Sequence, residues 1–167
     1  MGTPWPDEVS PGATLRVAVR VMLVDAESQV LLLRYIADDG ERFWCPTGGG
    51  IDPGESPDEA ARREVHEETG WCGPLELVEV WHRRHVTFFL GQLVDQRERW
   101  FLARVPVFSV HTRGFTASER QTILEWRWWS IADLHTAPER LVPDDLAARV
   151  DGLLTSGPPP RPFEIGL

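Results

Sequence analysis

Glu64, Glu67 and Glu68 stand three and four residues apart. On a helix that turns about 100° per residue, this spacing places three carboxylates on one strip within a single turn. Like charges so placed repel one another by about 0.2–0.5 kcal/mol per pair, so stability alone gives no reason for them. Hard divalent cations such as Mg²⁺ do take clustered carboxylate oxygens, and keep their other positions for water and phosphate. Arg63, next in the chain to Glu64, is a candidate to hold that carboxylate by a charge-assisted hydrogen bond. Upstream, Gly48, Gly49 and Gly50 allow backbone to approach a metal or phosphate, and a main-chain carbonyl there adds a neutral oxygen. Taken alone, the glycines also suit a plain bend. Seven acids (Asp52, Glu55, Asp58, Glu59, Glu64, Glu67, Glu68) face two bases (Arg62, Arg63) across residues 52–68. Such density is ordinarily a solvated helix face, and only the spacing argues for a cation site.

The element that must position these carboxylates is clearly punctuated. Ser56 is a candidate N-cap, Pro57 takes the first helical position, and Glu59 completes a capping box. The helix is predicted over residues 57–69 and stops at Gly70, suited to a left-handed C-cap. Before it, residues 15–24 and 30–33 read as a hairpin about a polar turn at 25–28, and 43–47 as a short strand. After it, strands are predicted at 75–80, 86–90, 100–107 and 125–131, with residues 94–99 a charged loop. Pro143, Asp144 and Asp145 open a second helix whose apolar positions are Leu146, Val150, Leu153 and Leu154. Three segments follow: a loose Pro/Gly-rich leader at 1–13, one domain at 14–155, and a Pro-rich extended tail at 156–167.

The 167 residues suffice for one packed core, and 42% hydrophobic with 26% charged residues describes a globular chain. No apolar run reaches the roughly 20 residues that span a bilayer, and residues 1–11 lack the features of a secretory signal. Cys45 and Cys72 are far apart and read as reduced thiols of a cytoplasmic protein. With a net charge of −9 and no basic face visible, no DNA partner is expected, and long RNA is disfavoured. Trp81, Trp100, Trp126, Trp128 and Trp129 offer a stacking face for a base, though tryptophan is more often core. Arg34, Arg83 and Arg84, with His82 and His85, are candidate phosphate contacts among what are otherwise solvated strand residues. His66 reads as helix surface.

From Gly49 the chain runs through five residues to Glu55, through seven more to Arg63, then Glu64-Val65-His66-Glu67-Glu68-Thr69-Gly70-Trp71. This resembles the box of the Nudix hydrolase family, G-x5-E-x7-R-E-U-x-E-E-x-G-U with U a large aliphatic. Gly49, Glu55, Arg63, Glu64, Glu67, Glu68 and Gly70 match every fixed position. Val65 fills the first aliphatic place, and Trp71 departs at the last while staying large and apolar. The likeness extends loosely over residues 14–155 and implies an α/β fold: an α/β/α sandwich around a mixed, partly closed β-sheet. It also implies Mg²⁺ or Mn²⁺ held by Glu64, Glu67, Glu68 and the carbonyl of Gly48, and attack of water on a phosphorus of a diphosphate. Within the resemblance, Glu64 and Glu67 are candidate general bases, and Glu119 and Glu125 are alternatives outside the box. Markers of several subfamilies are missing. Thr87 stands near the place of the ADP-ribose pyrophosphatase proline, and the single tyrosine, Tyr35, precedes the box. Nucleoside triphosphates, damaged nucleotides, nucleotide sugars and RNA 5′ ends remain as substrates, with a homodimer as the expected assembly. A catalytically silent sensor and a diphosphate isomerase are the rival readings; intact box glutamates oppose the first, and missing Cys and Glu machinery the second.

Overall fold

The computed structural model describes residues 4–37, 39–89, 91–111, 115 and 119–166, Glu119 without its side chain. Eight strands form one mixed sheet: β1 (Thr14–Val24), β2 (Val30–Ile36), β3 (Arg42–Cys45), β4 (Val78–Phe89), β5 (Gln92–Arg104), β6 (Ile123–Trp129), β7 (Arg140–Leu141) and β8 (Phe163–Glu164). Their order is β7-β3-β2-β1-β5-β4-β8, with β6 paired to β2. Helix α1 (Pro57–Thr69) follows β3, α2 (Glu119–Thr122) precedes β6, and α3 (Ile131–His135) and α4 (Leu146–Ser156) flank β7. No helix among the described residues is long and apolar enough to cross a membrane.

The feature that makes room for the site is a parting between β1 and β2. The two strands are in register only at Val24 and Val30. Beyond that pair β6 takes the edge of β2. The edge of β1 is taken by the glycine segment: Val21 N donates to Thr47 O, Val19 N to Gly49 O, and Ile51 N to Val17 O. On its other side β1 lies parallel to β5 from Thr14↔Val94 to Val24↔Arg104.

Alternation along β1 sorts its side chains between two cores. Val19, Val21 and Leu23 face α1 through Ala60, Ala61 and Val65, joined by Leu31, Leu33 and Phe101. Met22 and Val24 face the other way, toward Trp100, Trp129, Leu134, Leu146 and Val150. Helix α1 ends as predicted, with both bonds of the Ser56/Glu59 capping box and a left-handed Gly70. Its buried stripe runs Ala60, Ala61, Glu64, Val65, Glu68, Thr69, so two glutamates share the face that packs on the sheet.

Several expected boundaries shift, for one physical reason. Residues 78–80 and 86–89, read as parts of two separate strands at 75–80 and 86–90, belong to one continuous β4, residues 75–77 precede it, and Leu90 lies outside the described residues. Residues 94–99, read as a charged loop, are the middle of β5, with Asp95, Gln96, Arg97 and Glu98 all buried. Each charge there meets a partner distant in sequence. Arg20 Nε lies 3.2 Å and Arg83 Nη1 3.3 Å from the Glu98 carboxylate. Arg84 holds Asp95 at 2.6 Å, and Arg97 donates to the carbonyls of Pro6 and Glu8 at 2.7 and 2.8 Å. The leader, expected to be loose, is therefore fastened from Trp5 on: that ring is buried against His82, and Ser10 N donates to Asp95. The Pro-rich tail likewise returns to the sheet, where β8 pairs with β4 and Ile165 is buried.

Burial pushes the Glu98 carboxyl up, but the charges of Arg20, His85 and Arg83 outweigh it and hold it down at about 2. A folded pKa below the usual 4.5 adds stability that is present above pH 4.5 and lost as pH falls from there toward 2. Glu98→Gln removes one partner of a buried pair, so urea denaturation at pH 7 should show a loss of about 3 kcal/mol. The variant's stability should also fall less steeply between pH 4.5 and 2 than the wild type's.

Candidate active site

Arg63 organises the box. Its Nε and Nη2 donate to the two oxygens of Glu55 at 2.8 and 2.9 Å, a two-pronged pairing matched to the planar guanidinium. Nη2 also donates to the carbonyl of Gly50 at 2.8 Å. Nη1 reaches Glu64 at 2.7 Å and Glu67 at 3.1 Å. One cation thus orients three carboxylates and pins the glycine segment to the helix. Glu55 is itself fixed through Asp52 N, which donates to it at 3.0 Å.

Gly49 and Gly48 are required for different reasons. A Cβ on Gly49 would stand 2.5 Å from the Glu64 carboxylate, so the glutamate occupies the space of the missing side chain. A Cβ on Gly48 would meet the Val19 carbonyl at 2.1 Å, and its φ of +146° lies where side chains are rarely accommodated. The Gly48 carbonyl accepts from Arg20 Nη1 at 3.0 Å. Glu68, 3% exposed, is held on the inner side of the helix. It accepts from Thr47 Oγ1, from Gly48 N at 2.8 Å and from Tyr35 Oη at 2.9 Å. Trp71, the departure from the box pattern, packs on Phe108 with ring centres 4.8 Å apart and against the core that includes Val65.

The carboxylates differ in electrostatics. Burial raises the Glu64 carboxyl against the pull of Arg63. Burial likewise lifts Glu68 to about 7, the bonds from Thr47 and Gly48 notwithstanding, and the Glu64 charge adds to the lift. Among the described residues, no three His, Cys, Asp or Glu side chains converge as a closed metal cage. The donor chemistry nevertheless fits a hard divalent cation. Glu64 and Glu68 are buried carboxyl groups, and carboxylate and carbonyl oxygens are what such a cation binds.

Other sequence candidates lie elsewhere. Arg34 is taken by both oxygens of Glu139, with Glu125 at 3.4 Å, so Glu125 pairs with Arg34 instead of joining the carboxylate set of α1. Arg84 serves Asp95 and the leader. Neither arginine comes to the box. Glu119 opens α2, and its side chain lies outside the described residues. His66 is exposed, as expected. Of the tryptophans, Trp81, Trp100 and Trp129 are buried, and Trp126 is 39% exposed. Tyr35, Thr47, Arg16 and Arg20 were missed. For the two arginines a signal existed: Arg16 and Arg20 share one face of a strand that is otherwise apolar in its middle.

Glutamates sharing one arginine, beside a glycine segment inserted in a mixed sheet, define a hydrolase of phosphoanhydride bonds. Residues 14–149 match the NUDIX domain family, and the chain belongs to that family. It is 32% identical over 142 residues to an RNA pyrophosphohydrolase of Novosphingobium aromaticivorans, covering 79% of this chain and 86% of that one. An RNA pyrophosphohydrolase of Rhodospirillum rubrum is 32% identical over 149 residues, covering 84% and 86%. Among solved structures, the MutT protein of Methanosarcina mazei Go1 superposes with a TM-score of 0.64 at 22% identity, over 85% of this chain and 96% of that one. The Ap4A hydrolase of C. elegans in its binary complex gives 0.62 at 20% identity, over 84% and 98%. These likenesses confirm the expected α/β fold, a curled mixed sheet between helices.

A carboxyl whose folded pKa lies above its unfolded value contributes stability that is complete below pH 4.5 and lost as pH rises through about 7. Thermal unfolding of metal-free protein should therefore show a Glu68-dependent loss between pH 5 and 8, and added Mg²⁺ should raise Tm more at pH 8 than at pH 5. Gly48→Ala should cost about 3 kcal/mol or more in urea denaturation, since backbone must move. Gly49→Ala displaces only the end of Glu64, so it should cost less stability while lowering turnover at least tenfold.

Proposed function

We propose that the chain is a Mg²⁺- or Mn²⁺-dependent enzyme that hydrolyses a phosphoanhydride in the 5′-polyphosphate of a nucleotide. The observation that carries this reading is the Arg63 arrangement, which presents Glu64 and Glu67 together beside the glycine segment. Glu64, Glu67 and Glu68 would hold the metal, with the second lone pair of the Gly48 carbonyl as a further donor. When bound, the metal neutralises phosphate charge and lowers the pKa of the attacking water. Glu67 is the residue best placed to accept the proton: its side chain is 31% exposed, and its tie to Arg63 is the longer of the two that Nη1 makes. Arg63 keeps Glu64 and Glu67 oriented throughout, and Tyr35 and Thr47 fix Glu68.

A triphosphorylated RNA 5′ end is the second reading of the same site, favoured by relatives named RNA pyrophosphohydrolase that match 79% and 84% of this chain. The acidic balance of −9 argues for short ends or free nucleotides over long RNA. The test is a hydrolysis screen with Mg²⁺ and Mn²⁺ over nucleoside triphosphates, damaged nucleotides, nucleotide sugars, dinucleoside polyphosphates and a short 5′-triphosphorylated RNA. Glu67→Gln should cut kcat by about 10²–10⁴-fold while circular dichroism stays unchanged. Wild-type turnover in that variant overturns the assignment of Glu67. Metal binding without turnover of any substrate would favour the sensor reading.

A further inference from the structure

Strand β4 lies near the rim of the sheet, and much of its outer edge is uncovered. Its register with β5 runs without a shift from Trp81↔Trp100 to Phe89↔Gln92, so this stretch is regular. On the other side β8 pairs with β4 only at Trp81 and His82. Ile165 N donates to His82 O at 2.7 Å, so the backbone groups of His82 point outward. Alternation then turns the N–H and C=O of Arg84, Val86 and Phe88 to the same edge. Among the described residues, no strand pairs with that edge beyond His82.

This stretch is built unlike a protected edge. Edge strands ordinarily discourage pairing by proline, by a bulge or by inward charges. Residues 83–89, Arg-Arg-His-Val-Thr-Phe-Phe, hold no proline, no glycine and no acid. Three of their side chains are apolar and open to solvent: Val86 at 48%, Phe88 at 74% and Phe89 at 41%. The middle of β5, by contrast, carries the acids Asp95 and Glu98.

The segment also complements itself. Antiparallel pairing of two copies about Val86 sets Arg84 against the partner's Phe88 and Arg83 against the partner's Phe89. Val86 meets the partner's Val86. A guanidinium and an aromatic ring attract one another, as Arg16 shows by lying 4.2 Å from the centre of the Phe89 ring. Arg84 is already fixed by Asp95 at 2.6 Å with 25% of its side chain exposed, so it need not be ordered anew. Parallel pairing in register would instead oppose like charges, Arg84 to Arg84, which is destabilising. The partner that fits this edge is the same segment of a second copy.

We propose that the outer edge of β4 is a self-association surface, where residues 84–88 of two copies pair antiparallel across a two-fold axis at Val86. The two eight-stranded sheets then join into one. Strand β8 of each copy stops short of Arg84, so the two pairings use successive lengths of one edge. Such a contact uses the same patch on both copies and closes at the dimer, without growing into a filament. So short an edge makes a small interface, and association on the order of micromolar is expected.

Sedimentation velocity on the full chain, from about 1 to about 200 μM, should show a shift from one copy to two. Val86→Pro removes an outward N–H while sparing the β4–β5 ladder, as proline on an edge can. Phe88→Lys sets a second cation against Arg84. Each should weaken dimerisation at least tenfold, with thermal unfolding to verify that both variants fold. If Val86→Pro does not fold, Phe88→Lys decides alone. Hydrogen exchange in the wild type should slow at the amides of Arg84, Val86 and Phe88 as concentration rises. A chain that stays single throughout overturns the proposal and leaves this edge to an extended peptide of another protein. A dimer that survives Phe88→Lys, or forms without slowing these amides, uses another face and overturns the proposal as well.

Discussion

Everything at the site depends on one close approach, that of the glycine segment to β1 on one side and to Glu64 on the other. A single methyl group at Gly48 would strike the Val19 carbonyl, and one at Gly49 would take the place of the Glu64 carboxylate. Because nothing protrudes there, the segment can serve as a strand along β1 while α1 lies directly above it. The parting of β1 and β2 is the other side of the same constraint, since the segment fills the edge that β2 leaves. Box spacing, sheet topology and helix placement thus share a single steric cause.

Electrostatics then divides the molecule into two halves that meet at this segment. On the α1 side one arginine serves three glutamates. On the opposite face of β1 several arginines share one glutamate. The backbone carbonyls of Gly48 and Gly50 are each held from one of these halves, by Arg20 and by Arg63 respectively. Buried pairs of this kind contribute little net stability after desolvation, but removing one partner is expensive. Their effect is to fix where each carboxylate and each guanidinium points.

What the sequence disclosed was what is local. Helix α1 carries its start, its stop and its stripe within fifteen consecutive residues of caps and body, 56–70, and its ends fall where the punctuation puts them. The roles of Glu55 and Arg63 follow from box spacing, since the two meet across eight positions of chain. The middle of β5 was illegible because its charges are neutralised by residues remote in sequence: Arg20 lies 78 positions from Glu98. A run of Asp, Gln, Arg, Glu and Arg looks like a loop until those partners are known. Arg34 and Arg84, read as candidate phosphate contacts, pair in the structure with Glu139 and Asp95, 105 and 11 positions away. Tyr35 and Thr47 gave no signal, since a hydroxyl aimed at Glu68 is visible only once β2 and the glycine segment are placed.

The parallel pairing of β1 with β5 has a kinetic side. Arg16 and Gln96, neighbours across those strands, are 80 positions apart in the chain. Closing so long a loop costs entropy before any contact repays it, and topologies rich in such contacts fold slowly. The hairpin of β4 and β5 has no such delay and can form first, with its charged positions still wet. Those charges act as gatekeepers during the wait, because a strand studded with Asp, Arg and Glu is a poor template for another strand's edge. The same residues that lie buried in the finished sheet thereby keep the unfinished chain from pairing edge to edge.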